Sequence, residues 1–385
     1  MKGDRPRVLV VGSFVTDLMF RVKHRPGPGE TMLAEDFGMF LGGKGFNQAV
    51  GARRLGADVC IVGRVGRDPF GDMFVAKLEQ EGICLSGVTR DPEAGTAIAT
   101  PVVDENGQNS IIAAPRANMR VTPEDVLAVE EQIALADILM LQFEIPLAAS
   151  RRAAEIARKH GTLVLLDPAP VRHGGQEESR IQNPESRVQN CGDSPQRHED
   201  TKADGETRDQ KPETRNQNCG DGFHHQDAKA PSQTEGGRSQ SSRTEMPEHS
   251  TTRPLDDFYF DYLVPNEIEA HMLTGRMTPE EAAAVLLPET RQGVVISLGE
   301  EGALAVDRAA LTRFPAHKVN VVDTTGAGDA FRAGLAVRIA EGASLDEAVR
   351  FANACGALAC TIMGAEPSMP RRDHVERFLT RTEKE

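Results

Sequence analysis

The sequence predicts an α/β protein with a mostly parallel central sheet covered by helices on both faces, together with a small separate β-sheet. Two observations carry this expectation. Short apolar runs suited to buried strands alternate with amphipathic helical stretches, the rhythm of strand-helix-strand units. Two stretches, 18–40 and 95–114, break that rhythm with turn-flanked β patterns of their own.

Strand candidates are 8–11, 59–62, 138–141, 163–166, 262–264 and 294–297. Each is apolar almost throughout rather than alternating, as expected where helices cover a sheet on both sides. Helix candidates at 45–55, 71–80, 147–159 and 329–340 carry apolar positions at helical spacing. In the second irregular stretch Ile98, Thr100 and Val102, then Ile111 and Ile112, flank the turn Asp104-Glu105-Asn106-Gly107. Two such hairpins, at about 15–41 and 95–115, would make a lid near the strand ends.

At 385 residues the chain has room for a large core. A formal charge of -14 argues against nucleic acid or an anionic membrane as its main partner, because both recruit clustered Lys and Arg. No segment approaches the ~20 apolar residues of a membrane span, so a soluble cytoplasmic protein is expected. Cysteines at 60, 84, 191, 219, 355 and 360 show neither CxxC nor zinc-ligand spacing, and read as reduced, mostly buried thiols.

The stretch 172–253 differs in kind. It is rich in Gln, Asn, Ser, Glu, Asp and Arg, and nearly lacks large apolar residues, so it cannot offset the entropy of ordering its backbone. It also repeats itself: PESRVQNCGD from Pro184 recurs as PETRNQNCGD from Pro212, without the spaced apolar residues a stacked solenoid would bury. A disordered insertion within one domain, built from 1–171 and 254–385, is the expectation, with His224 and His225 as solvated linker residues.

The strongest chemical signal is the run VNVVDTTGAGDAF at 319–331, read as a strand entering a glycine turn that opens a helix. Backbone N–H groups of Gly326, Ala327 and Gly328 would lie at a helix N-terminus, where unpaired donors and the dipole favour an anion. Asp329 in the first turn then stands where a docked phosphoryl group meets a substrate hydroxyl, and can accept its proton.

A second glycine turn, Gly42-Gly43-Lys44-Gly45, also opens a helix. Residues 38–44 nearly spell the P-loop pattern GxxxxGK, but Gly45 stands where the Mg²⁺-binding Ser or Thr belongs, so no Walker A site is read. What remains is exposed backbone with Lys44 and Asn47 to bind hydroxyls or negative charge. Directly after the first strand, GSFVTD at 12–17 puts Asp17 where open α/β sheets bind ligands, able to take two hydroxyls.

These runs, with RPGPGET, VGRDPFGD, QFEIP, LDPAP, VPNEIEA and ISLGEEG, resemble in order the ribokinase branch of the PfkB family of carbohydrate kinases. The resemblance covers nearly all of the chain outside 172–253, and implies a ribokinase-like three-layer α/β/α sandwich with a β-sheet lid. It implies a sugar site at Asp17, Gly42, Gly43, Lys44, Asn47 and Glu144, with Asp329 as base. It implies an ATP site at Asn266, Ser297, Leu298, Gly299, Glu300, Glu301, Gly302, Gly328 and Asn353, with Glu269 organising Mg²⁺ and phosphate.

It further implies a potassium site from Asp323, Thr325, Ala359, Ile362, Gly364 and Ser368, and a homodimer through the lids. The expected reaction is phosphorylation of ribose at O5 by Mg-ATP. Val15, where ribokinases often have Asn, and Phe46, where they have a small residue, leave other sugars, sugar phosphates or nucleosides as alternatives. A non-catalytic sugar-binding regulator is the rival of another class.

If 172–253 is dispensable, replacing 174–252 with a short Gly/Ser linker preserves folding, measured by circular dichroism and size exclusion. Aggregation of that variant sinks the idea.

Overall fold

The computed structural model describes residues 5–105, 108–171, 255–256 and 258–382. The insertion 172–253, with Cys191, Cys219, His224 and His225, lies outside the described residues, as do Asn106 and Gly107 of the expected turn.

The chain runs β1 (Arg7–Val11), β2 (Val15–Arg21), β3 (Asp36–Gly42), α1 (Lys44–Arg54), β4 (Asp58–Gly66), α2 (Pro69–Glu81), β5 (Cys84–Asp91), β6 (Ala97–Val103) and β7 (Asn109–Ala114). Then come α3 (Pro123–Leu127), α4 (Glu130–Leu135), β8 (Ile138–Gln142), α5 (Leu147–His160) and β9 (Leu163–Asp167). The last segment adds β10 (Tyr262–Leu263), α6 (Glu267–Thr274), α7 (Pro279–Leu286), β11 (Gly293–Ser297), β12 (Ala303–Asp307), β13 (Leu311–Phe314), α8 (Ala327–Ala340), α9 (Leu345–Ala359), α10 (Ala365–Ser368) and α11 (Arg372–Thr382).

Nine strands form the central sheet in the order β13-β12-β11-β10-β9-β8-β1-β4-β5. Neighbours from β11 through to β5 are parallel, and the pairs β11–β12 and β12–β13 are antiparallel, so β12 is the one reversed strand of the sheet. The continuous apolar runs thus sit where the sequence pattern required: every residue of β8 is buried, and β1 is buried after its first residue. The core divides between the two faces of the sheet. Phe46, Phe74 and the inner sides of α1, α8 and α9 lie in one cluster; α5, α7 and the segment around Phe260 lie in the other.

The small sheet, order β3-β2-β6-β7, is mixed: two antiparallel hairpins joined by a parallel β2–β6 contact. Its apolar Phe37, Met39, Ile111 and Ile112 are exposed.

Two expectations are corrected. Residues 319–322 are not a strand: Val321 and Val322 are 63% and 57% exposed, and the N–H groups of Val322 and Asp323 both donate to the carbonyl of Cys360. Apolar composition suggested a buried strand, but the segment is a loop hooked onto the end of α9. Of the described cysteines only Cys355 is fully buried, and Cys84 is exposed; none is in a disulfide. Among the described residues no helix is long and apolar enough to cross a membrane.

β1 is flanked by β4 on one side and β8 on the other, so the chain reverses its direction of sheet building there. A crevice outside the carboxyl ends of the strands at such a reversal is where open α/β sheets bind ligands. Ser13 follows β1, Glu144 follows β8, Asp167 ends β9 and Asn266 follows β10, so all four are delivered to that one edge.

Candidate active site

Two helices beginning at glycine turns build the centre of the site. α1 starts after Gly43 (φ 91°), whose missing Cβ would lie 2.8 Å from the Val15 nitrogen, and α8 starts after Gly326 (φ 81°). Only glycine fits the first position, for steric as well as conformational reasons. The helices pack closely because a Cβ on Gly51 would come 2.9 Å from that of Ala333. One turn toward the N-terminus of each helix, that approach brings Asn47 and Gln48 against Asp329.

Asp329 is buried, 7% exposed, and each of its oxygens accepts an amide hydrogen. Asn47 Nδ2 donates to Oδ2 at 2.8 Å and Gln48 Nε2 to Oδ1 at 3.1 Å. The same Gln48 nitrogen lies 3.1 Å from Asp167 Oδ2, and Gln142 Nε2 donates to Gln48 Oε1 at 2.6 Å. Asp167 also receives Lys44 Nζ at 3.2 Å and Arg332 Nε at 3.1 Å. Burial pulls the Lys44 pKa down, but the carboxylates of Asp167 and Asp329 outweigh it and keep the ammonium protonated.

The sugar-side candidates surround this centre. Glu144 accepts from the Ser13 hydroxyl and, at 2.9 Å, from the Lys44 backbone N–H, so one carboxylate oxygen completes the start of α1. Burial pushes its pKa up, against the pull of Lys44. Asp17 on β2 faces Gly42, where a Cβ would stand 2.6 Å from Asp17 Oδ2, so the glycine leaves room for the acid. Burial first, and the charge of Glu144 second, push the Asp17 carboxyl up to about 7. Phe46, by contrast, is turned fully into the core, its ring 4.9 Å from that of Phe74. Of the two departures named above, only Val15, half-buried and paired with Gly42 across β2 and β3, lies beside a candidate sugar residue.

At the start of α8, the Ala327 N–H is given to the Thr324 carbonyl at 3.2 Å. The N–H groups of Gly326 and Gly328 have no partner among the described residues, so two of the three expected anion-hole donors are open. Arg332, one turn on, reaches the carbonyls of Gly328 and Val264 and the carboxylate of Glu269 at 3.4 Å.

The ATP-side candidates have structural partners. Asn266 and Glu269 form a capping box at the start of α6, each side chain bonded to the other's backbone N–H at 2.8 Å. Burial raises the pKa of Glu269, against the pull of Arg332. Asn266 bridges Ser297 at the end of β11, and Leu298, Gly299, Glu300, Glu301 and Gly302 turn from there into β12. Asn353 on α9 is buried and donates to the carbonyls of Phe314 and Pro315 at 3.3 and 3.4 Å, next to Gly302.

The proposed cation loop is a separate cluster. Asp323 accepts from the Thr325 N–H (2.9 Å) and hydroxyl (2.7 Å) and from the Gly364 N–H (2.8 Å). Burial raises its pKa, but these donors outweigh it and hold the carboxyl below its usual range. The Ala359 carbonyl accepts from the Ile362 N–H, the Gly364 carbonyl from the Ser368 N–H, and the Ser368 hydroxyl donates to Ala365.

Gln48, Gln142, Asp167, Arg332 and Ser13 were not singled out by the sequence. Gln48 follows Asn47 directly, Arg332 is one turn after Asp329, and Asp167 closes an apolar strand before Pro168, so position beside a motif was the available signal.

Comparison with known proteins places the chain in its family. The pfkB family carbohydrate kinase matches residues 5–177 and 244–372. The ribokinase of Bacillus subtilis is 31% identical over 381 residues, covering 97% of this chain and 99% of the relative. The deoxyribokinase of Salmonella typhi is 27% identical over 384 residues, covering 98% and 99%. Among solved structures, ribokinase from Thermotoga maritima aligns with a TM-score of 0.69 at 30% identity, and Arabidopsis thaliana ribokinase complexed with ribose and ATP with 0.70 at 27%; each covers 97% of this chain and 99% of the other. The family model covers most of the chain and the fold aligns with solved ribokinases along nearly its whole length, so the chain belongs to the pfkB family of carbohydrate kinases.

Proposed function

We propose that this protein transfers the γ-phosphoryl group of ATP to O5 of D-ribose, with Asp329 as the general base. The observation that carries this is the buried Asp329 carboxylate, in the first turn of α8 beside its open N–H donors and bonded to Asn47 and Gln48 of α1. Relatives named as ribokinases support ribose as the acceptor.

In this reading Asp17, Asn47 and Glu144 bind sugar hydroxyls, and Gly42 and Gly43 let the sugar approach the backbone. Asp329 takes the proton of the O5 hydroxyl as that oxygen attacks the γ-phosphorus. The bond to the β,γ-bridging oxygen breaks and ADP leaves. The N–H groups of Gly326 and Gly328 neutralise charge on the transferring group, and Lys44, turned to Asp167, adds positive field. Mg²⁺ carried with ATP neutralises the phosphates. Glu269 acts on it at one remove, its carboxylate being held by Asn266 and Arg332. Asn266, Ser297 to Gly302 and Asn353 border the nucleotide.

Potassium suits the Asp323 loop. The oxygens there would be the Asp323 carboxylate, the hydroxyls of Thr325 and Ser368 and the backbone carbonyls of Ala359, Ile362 and Gly364, hard donors carrying a single charge. Exchanging K⁺ for tetramethylammonium lowers turnover if this is correct. The exposed Phe37, Met39, Ile111 and Ile112 of the lid sheet fit a second copy of the chain. A monomer in sedimentation at micromolar concentration excludes that dimer. ATP as donor fits a cytoplasmic enzyme.

Val15 favours a second reading. An apolar side chain bordering the sugar gives a hydroxyl no partner, and 2-deoxyribose, the sugar in the deoxyribokinase name, has one hydroxyl fewer. Comparing kcat/KM for ribose and 2-deoxyribose by ADP release separates the two. Binding of either sugar without turnover at saturating Mg-ATP rejects the kinase reading altogether.

Asp329→Asn lowers kcat by ~10² or more, the contribution of a positioned base; undiminished turnover of the folded variant removes Asp329 from the mechanism. Because the Asp17 carboxyl lies at about 7, it is an ionised acceptor above that pH and loses this capacity below it. kcat/KM for the sugar therefore declines as pH falls through about 7, and Asp17→Asn abolishes that limb of the profile.

A further inference from the structure

We infer that Gln48 is a positioning residue for the phosphoryl transfer, orienting Asp329 through one amide nitrogen that it shares with Asp167. The inference rests on the reading of Asp329 as the base.

Gln48 is fully buried on α1. Its Nε2 lies 3.1 Å from both Asp329 Oδ1 and Asp167 Oδ2, and its Oε1 accepts from Gln142 Nε2 at 2.6 Å. The direction of this amide is dictated chemically. Ionised carboxylates only accept, so the nitrogen must face the two aspartates and the oxygen must face Gln142. Gln142 is then committed too: its nitrogen serves Gln48, and its own buried Oε1 has no partner among the described residues.

The distribution of charge gives the arrangement its purpose. The cations that reach Asp167, Lys44 at 3.2 Å and Arg332 at 3.1 Å, are both on its Oδ2. Among the described residues Asp329 is hydrogen-bonded only by neutral amides, from Asn47 and Gln48, and the Lys44 charge acts on it without a bond. A cation in contact would stabilise the carboxylate and weaken it as a base, whereas amides orient it at lower cost to its basicity. With one amide hydrogen on each oxygen the plane of the carboxylate is fixed, and a lone pair on each oxygen remains for the substrate. Gln48 also inserts a donor between two carboxylates close enough to share one nitrogen, and so relieves their repulsion.

Gln48→Met keeps the length of the side chain but removes both amide functions. The expected result is a fall in kcat of roughly tenfold to a hundredfold, the cost of a slightly misplaced group. KM for the sugar stays near that of the parent, while the melting temperature falls, because Gln142 Nε2 and the two carboxylates each lose a buried partner. In an Asp329→Asn background the same substitution adds little, because the residue through which Gln48 acts is already disabled. A kcat within about twofold of the parent, or an equal proportional loss in both backgrounds, overturns the inference.

Should Gln48→Met not fold, Gln48→Glu supplies the test. It retains the bond from Gln142 but presents an acceptor to Asp167 and Asp329, with Lys44 and Arg332 as the nearby cations. Its turnover relative to the parent rises as pH is lowered from about 8 to about 6, because a protonated carboxyl again donates; a constant ratio overturns the inference. An undiminished Asp329→Asn enzyme rejects the base itself, whereas a crippled Asp329→Asn beside an unaffected Gln48→Met rejects only the role of Gln48.

Discussion

The close approach of α1 to α8 is the constraint on which the site depends. Gly51 against Ala333 lets the two helices come together, and a side chain at 51 would force them apart. One turn toward the N-termini, the same approach sets Asn47 and Gln48 within hydrogen-bond reach of Asp329. Because both helices start at glycine turns, their first-turn N–H groups and dipoles converge on one region. The acid most central to the site thus depends on two helices that are remote in sequence and on a pair of small residues that touch no substrate.

Burying this many charges is costly unless each is matched. Asp167, fully buried, is the hub: it receives Lys44, Arg332 and Gln48, and Arg332 in turn reaches Glu269 and the carbonyls of Val264 and Gly328. The network ties the ends of β9 and β10 to the first turns of α1, α6 and α8. It leaves Asp17 outside it, its carboxyl held up near 7 by burial and by the charge of Glu144.

Several residues marked by motif as ligand-binding carry the fold as well. Asn266 and Glu269 cap α6, Glu144 completes the start of α1, Asn353 fastens the segment after β13, and Asp323 clasps Thr325 and Gly364. Their backbone-facing bonds hold the polar groups in place before a ligand arrives, which lowers the ordering cost of binding. A substitution at any of them therefore disturbs local structure, whatever else it changes.

The sequence alone determined the alternating α/β architecture, the two small-sheet hairpins and the glycine turn before Asp329, because these arise from local periodicity and backbone sterics. It also carried the family, through motifs whose order was legible without coordinates. It misread 319–322 as a strand, since apolar composition does not reveal that Val322 and Asp323 bond to Cys360 instead of a sheet neighbour. Only the tertiary structure decided that Phe46 faces the core, that Val15 pairs with Gly42, and that Gln48 joins Asp167 to Asp329. The last of these depends on bonds between residues 119 and 281 positions apart, and the first two on contacts between separate elements, and no local pattern encodes either.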